Sequence, residues 1–336
     1  MYELLGICLV LSTLLALNAF ASALAEGVWR VVAPRVSRWP ASARARLLFA
    51  LRVSPSALAA AIVFALVVPA YLLNEPPNTG ERVGAKLLIL ATASAAGVLL
   101  ACWRVARTWR ATRRLSRDWM QHAEPVVIEG LQFPAYSIRH RFPVIAVIGV
   151  VRPRLFIAAQ IFDTLTAEEL TAALAHECGH VVARDNLKRA VLQAGQDALL
   201  LAPLGRSLRR EWQRESELAA DEFAASAGSV AALNLASAIV KISRLIHGGA
   251  RPTLPAGAHL LGDEEGGLSH RVRNLLRLAS SSEGTRSNAS LRAGAAITIE
   301  MWLGLCICAA GSFIITHPFV LKATHTAIER VVETLR

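Results

Sequence analysis

Four apolar runs govern what this chain can become. They are residues 4–25 (LLGICLVLSTLLALNAFASALA), 56–73 (SALAAAIVFALVVPAYLL), 84–103 (GAKLLILATASAAGVLLACW) and about 294–316, ending CICAAGSFIIT. Each is close to the ~20 residues with which an α-helix crosses ~30 Å of hydrocarbon. With 54% hydrophobic residues and a mean hydropathy of +0.42, the chain is too apolar for an ordinary soluble enzyme. Ala23-Leu24-Ala25 has the look of a signal-peptide cleavage site. However, no basic residue precedes the first run, Glu3 is acidic, and the run outlasts a typical signal core, so it reads as an uncleaved anchor.

The formal charge is +11, and its placement separates membrane topology from nucleic-acid binding. Arg30, Arg35, Arg38, Arg44, Arg46 and Arg52 follow the first run, and Arg104, Arg107, Arg110, Arg113, Arg114 and Arg117 follow the third. Basic residues beside apolar segments mark the cytoplasmic side. The loop 26–55 is therefore expected inside, 74–83 outside, residues 104–292 inside, and the tail 317–336 outside. No direct nucleic-acid partner is expected. Glu300, at or within the fourth run, is expected to reach an interface. The five cysteines form no disulfide framework or CxxC clamp, and Cys178 reads as a small helix residue.

Between the third and fourth runs the pattern changes. VVIEG (126–130) is a short β-rich run, and PVIAVIGVV (143–151) and RLFIAA (154–159) flank Arg152-Pro153 as a candidate hairpin. Thr166 with Glu169 three residues on is a capping box, opening a helix over about 167–184. Further helices are expected over about 186–203, 207–227, 230–247 and 269–279, with a Gly/Pro-rich loop at 248–268 and a polar linker at 280–290.

The first of these helices carries ALAHECGHVVARDN (173–186). Residues four apart share a helix face, so His176 and His180 can aim their imidazoles at one ion, Zn2+ being the one expected. Glu177 lies ~100° further round the turn, near the ion yet outside its ligand set, where a carboxylate serves as a general base toward water. This is the chemistry of peptide hydrolysis. A third ligand is expected from RESELAADE (214–222). Glu217 and Asp221 are four apart, so Glu217 can bind the ion while Asp221 accepts the second N–H of a ligand histidine. Glu215 and a solvent-facing Glu222 are the rivals. Asp185 either supports a histidine, pairs with Arg184 or Arg189, or ends the helix. Arg139 and Arg141 are candidates to assist the oxyanion.

The order VRPRLFIAAQ, LTAEELTAALAHECGHVVARDN, RESELAAD, HRVRNLL resembles the BlaR/MecR antirepressor family of membrane metallopeptidases. Arg184-Asp185-Asn186 after the second histidine is closer to it than to the related HtpX and CAAX-prenyl protease families. The resemblance implies His176, His180 and Glu217 as zinc ligands and Glu177 as catalytic base. It also implies a cytoplasmic transcriptional repressor or other regulatory protein as substrate and a bacterial inner membrane as location; the alternatives are an HtpX-like membrane-protein quality-control protease and a non-catalytic signalling scaffold with structural zinc. The expected fold is an α-helical multipass membrane protein with a mainly α (α+β) zincin-like cytoplasmic metalloprotease domain. Its parts are 1–118 (three transmembrane helices), 119–290 (the peptidase) and 291–336 (a fourth span and a short external tail). The penicillin-binding sensor domain of the best-known relatives is expected to be lacking.

Overall fold

A computed structural model describes residues 2–75, 83–195, 206–245, 265–280 and 318–335. The expected fourth span with Glu300, and the apolar stretch at 197–204, lie outside the described residues. Three helices are long and apolar enough to cross a membrane: α1 (Tyr2–Val36), α2 (Ala41–Asn74) and α3 (Ala85–Met120). They contain the first three apolar runs but outlast them. At 35 residues α1 is ~50 Å long, well beyond the hydrocarbon thickness.

The excess length corrects one expectation. The arginine-rich stretch 26–55 is not a loop, because α1 continues to Val36 and α2 starts at Ala41 after Pro40, leaving a short turn between them. Arginine, alanine and leucine are strong helix formers, so the basic segments extend the apolar helices. The same holds for 104–117 within α3, where Arg113 stacks on Trp109 at 4.1 Å. Inside α2, residues Val63–Val67 form a π-helical segment just before Pro69. The wider turn accommodates a proline that would otherwise break the helical ladder.

The three helices are apolar outside and partly polar inside, the reverse of a water-soluble bundle. Phe20, Phe64, Leu73 and Leu99 are exposed, whereas Ser12, Asn18, Ser22 and Ser94 are buried. The Ser12 hydroxyl donates to the Leu87 carbonyl (3.3 Å), and the Ser56 hydroxyl to Asn18 (3.2 Å). Such bonds hold helices together where apolar contact alone gives no preference over lipid.

The end of α3 enters the second half of the chain: Trp119 packs edge-on against Phe156, ring centres 5.3 Å apart. There a four-stranded sheet has the order β1-β2-β4-β3, with β1 (Glu124–Val126), β2 (Ala135–Ile138), β3 (Ile145–Ile148) and β4 (Arg154–Ala158). The expected hairpin is present, with β3 and β4 antiparallel and Val147 opposite Leu155. Strand β1 sits earlier than the expected 126–130. The parallel partner β2 has no apolar run to announce it: AYSI buries only Ala135 and Ile138 fully, with Tyr136 stacked on Phe156.

After the short α4 (Ala159–Thr164) come α5 (Ala167–Val182), α6 (Asp185–Gly195), α7 (Arg206–Ala225), α8 (Ser229–Leu245) and α9 (Glu265–Ser280). The capping box forms as expected. The Glu169 N–H donates to the Thr166 hydroxyl, the Thr166 N–H donates back to Glu169, and that carboxylate also takes Lys241 and Ser237 of α8 at 2.7 Å each. One core lies between the sheet and α5 and α8, another among α5, α7, α8 and α9. A third, with Leu48 and Trp212 at its centre, seats α7 on α1 and α2. The tail segment α10 (Pro318–Leu335) is a helix whose Val332 joins Leu5, Val67, Tyr71 and Leu87.

Candidate metal centre

Helices α5 and α7 cross unusually closely. A Cβ on Gly179 would meet the Ala220 Cα at 3.2 Å and the Phe223 side chain at 3.3 Å. The glycine of HECGH thus lets α7 settle against α5, one helical turn from Glu217. His176, His180 and Glu217 are all buried, and one donor atom from each lies within 4.8 Å of the other two. His176 Nε2 is 3.6 Å from one Glu217 oxygen and His180 Nε2 is 3.5 Å from the other.

The remaining imidazole nitrogens are each held by a carboxylate. His176 Nδ1 meets Asp221 at 2.9 Å, and His180 Nδ1 meets Asp185 at 2.7 Å. Of the alternatives open for Asp185, the structure shows contact with a histidine, and Asp221 contacts the other. A carboxylate on Nδ1 fixes the ring and leaves Nε2 to face the ion. Asp185 reaches back because Arg184 adopts a left-handed conformation (φ 54°), which ends α5 and starts α6 at once. In the same turn the Asn186 side chain donates to the carbonyls of Val147 (3.0 Å) and Gly149 (3.1 Å), tying β3 to the site.

Two further residues belong to the centre and were not foreseen. Arg271 of α9, almost fully buried, donates to both Asp221 oxygens at 2.6 and 2.9 Å and lies 3.2 Å from Glu217. Arg189 of α6 donates to the other Glu217 oxygen at 3.2 Å. A signal for Arg271 was present: Leu268, Arg271 and Leu275 fall on one helical stripe, so an arginine interrupts an apolar face. The rivals do other work. Glu215 pairs with Arg44 at 2.7 Å. Glu222 is not solvent-facing but accepts the Ala41 N–H at the start of α2 (3.0 and 3.2 Å). Arg139 and Arg141 are exposed on the loop after β2.

Four buried carboxylates, Glu177, Asp185, Glu217 and Asp221, surround two histidines with two guanidiniums among them. The excess negative charge favours cations. Burial would depress the His180 imidazolium, but Glu217 and Asp185 outweigh it and hold it up at about 9. His176 is likewise raised, its burial overcome by Asp221 and Glu217. Burial opposes ionisation of Asp221, yet Arg271 holds it down at about 2. Glu217 stays well below the usual range despite its burial, through His180 and His176. Glu177 differs: burial dominates and pushes its carboxyl up, as suits a base that must accept and return a proton.

A cation fits the centre on two structural grounds. His180 Nε2 and one Glu217 oxygen are buried without a hydrogen bond, and both belong to the converging set. Two imidazoles and a carboxylate, each imidazole supported from behind, are also the donors that divalent transition metals take.

Residues 113–210 match the model of peptidase family M48. The matched segment runs from the end of α3 through the sheet and the HECGH helix, and stops before Glu217. No curated protein matches the chain. The match implies metallopeptidase activity, and with three apolar helices it points to a membrane-associated metallopeptidase.

Proposed function

We propose that the protein is a multipass membrane zinc endopeptidase whose catalytic centre faces the cytoplasm. The observation that carries this is the convergence of His176, His180 and Glu217 beside Glu177, which is also buried. Zinc would be held by His176, His180 and Glu217, and when bound it would supply a Lewis acid that polarises water and the substrate carbonyl.

The chain's own residues do the rest. Asp221 and Asp185 keep Nδ1 of each histidine engaged, and Arg271 ties Asp221 to Glu217. Glu177 takes a proton from the attacking water as its oxygen bonds to the peptide carbonyl carbon. It returns that proton to the amide nitrogen as the C–N bond breaks. The near-complete burial of the centre keeps bulk water from competing. The substrate strand would pair with the outer edge of β3, where Asn186 already occupies the carbonyls of Val147 and Gly149. That leaves the edge around Ile145 for the substrate.

The arginines beside the apolar helices support the cytoplasmic orientation. The antirepressor-like order of motifs supports a regulatory protein, such as a transcriptional repressor, as substrate. The domain limits 1–118, 119–290 and 291–336 belong to this reading, with the membrane part carrying a signal to the peptidase. The test is proteolysis by purified, zinc-loaded protein. Glu177→Gln is expected to keep its zinc and lose activity. A Glu177→Gln variant that still cleaves would remove the mechanism.

A further inference from the structure

We propose that Arg189 is a catalytic residue: its guanidinium donates hydrogen bonds to the carbonyl oxygen of the scissile peptide as that oxygen becomes negative. The proposal rests on the endopeptidase reading and adds to it the electrophilic group that the motifs left unassigned.

Hydrolysis places negative charge on one substrate oxygen, and a fixed donor aimed there is among the largest contributions a site can make. Two guanidiniums reach the centre among the described residues, and they are not equivalent. Arg271 spends Nε and Nη2 on Asp221, has Nη1 on Glu217, and its side chain is 5% exposed. It is locked into the framework. Among the described residues Arg189 makes one hydrogen bond, to Glu217 Oε1 at 3.2 Å, and its side chain is 13% exposed. A guanidinium carries five N–H donors, so Arg189 has donors left to offer.

Its position along the chain is the stronger argument. The start of α6 touches three parts of the site in succession. Asp185 holds His180, Asn186 holds the outer carbonyls of β3, and Arg189, three residues on and so on the same helix face as Asn186, reaches Glu217. Arg189 therefore shares a helix face with the residue that grips the β3 edge and itself touches the carboxylate of the metal site. Its positive charge is also felt at both His180 and Glu177. Once a cation shares the Glu217 charge, the hold of Glu217 on Arg189 weakens and the guanidinium can turn to substrate.

In the step proposed, the water oxygen bonds to the carbonyl carbon and its proton passes to Glu177. The C=O π pair moves onto the carbonyl oxygen, where Arg189 donates hydrogen bonds without giving up a proton. The pair then re-forms C=O, the C–N bond breaks, and Glu177 protonates the departing nitrogen.

The experiment compares wild type, Arg189→Ala and Arg189→Lys, each purified full length in detergent and loaded with zinc. Three quantities are measured: hydrolysis of a peptide substrate, zinc affinity by chelator competition, and binding of an N-phosphoryl dipeptide, whose tetrahedral anion mimics the oxyanion. In Arg189→Ala, kcat is expected to fall by ~10²–10³-fold with KM and zinc affinity nearly unchanged. Affinity for the phosphoryl dipeptide should fall by about the same factor as kcat/KM, and lysine should restore part of both. Full kcat in Arg189→Ala would overturn the proposal. So would a loss of zinc affinity that accounts for the whole loss of activity, since Arg189 would then only support Glu217. Wild-type protein that binds zinc but cleaves no peptide would instead sink the endopeptidase reading, and this role with it.

Discussion

Replacing Asp221 by asparagine is the sharpest perturbation of the centre, because it removes one charge and almost no volume. Asp221 is fully buried and serves three donors: His176 Nδ1 at 2.9 Å and two Arg271 nitrogens at 2.6 and 2.9 Å. An asparagine has one acceptor oxygen, and its NH2 group would face a donor. At least one charge-assisted bond is lost, and Arg271 keeps only Glu217 as a nearby counter-charge. Breaking one side of a buried ion pair costs ~3–5 kcal/mol, and loss of the carboxylate behind a metal-binding histidine weakens metal affinity ~10–100-fold. The expected outcome is a chemical-denaturation midpoint lowered to match several kcal/mol, together with a weaker zinc Kd in chelator competition. Glu217→Ala should weaken zinc further still while disturbing Arg271 less. An Asp221→Asn protein with wild-type stability and wild-type zinc affinity would refute the argument that Asp221 orients His176.

Two other outcomes follow from the packing of α7. Burial raises the Glu222 carboxyl to about 7 from 4.5, so the fold favours its neutral form. That stabilisation is complete below the ordinary carboxyl range and is lost as pH rises through about 7; a gap of this size is worth at most ~3 kcal/mol. Thermal unfolding should show Glu222→Gln close to wild type at pH 5 and more stable than wild type at pH 8, and equal pH profiles would contradict this. Gly179→Leu, where even a Cβ meets the Ala220 backbone at 3.2 Å, should push α7 from α5, cost ~1–3 kcal/mol and weaken zinc binding. Unchanged zinc affinity would show that the close crossing does not set the site.

What the sequence discloses depends on whether one element or several must be read together. The first three apolar runs, the capping box at Thr166 and the HECGH spacing are local patterns, and each falls on the helix expected of it. Glu217 and Asp221 were readable because both lie on one face of one helix. Arg189 gives no such signal, since its partner is 28 residues away and a surface arginine looks the same in sequence, whereas Arg271, 50 residues from its partner, shows only as a break in the apolar stripe of α9. The turn 37–40 was misread as part of a long loop because basic residues end an apolar run without ending a helix. Strand β2 goes unannounced because its four residues, Ala135-Tyr136-Ser137-Ile138, are too few and do not alternate.

The central claim is that His176, His180 and Glu217 hold one ion. X-ray absorption at the zinc edge, on protein purified with one equivalent of zinc, tests it most directly. The account predicts two imidazole nitrogens at ~2.0–2.1 Å plus oxygen ligands, with one fewer protein oxygen in Glu217→Ala. A sulfur ligand, or a first shell that Glu217→Ala leaves unchanged, would contradict it.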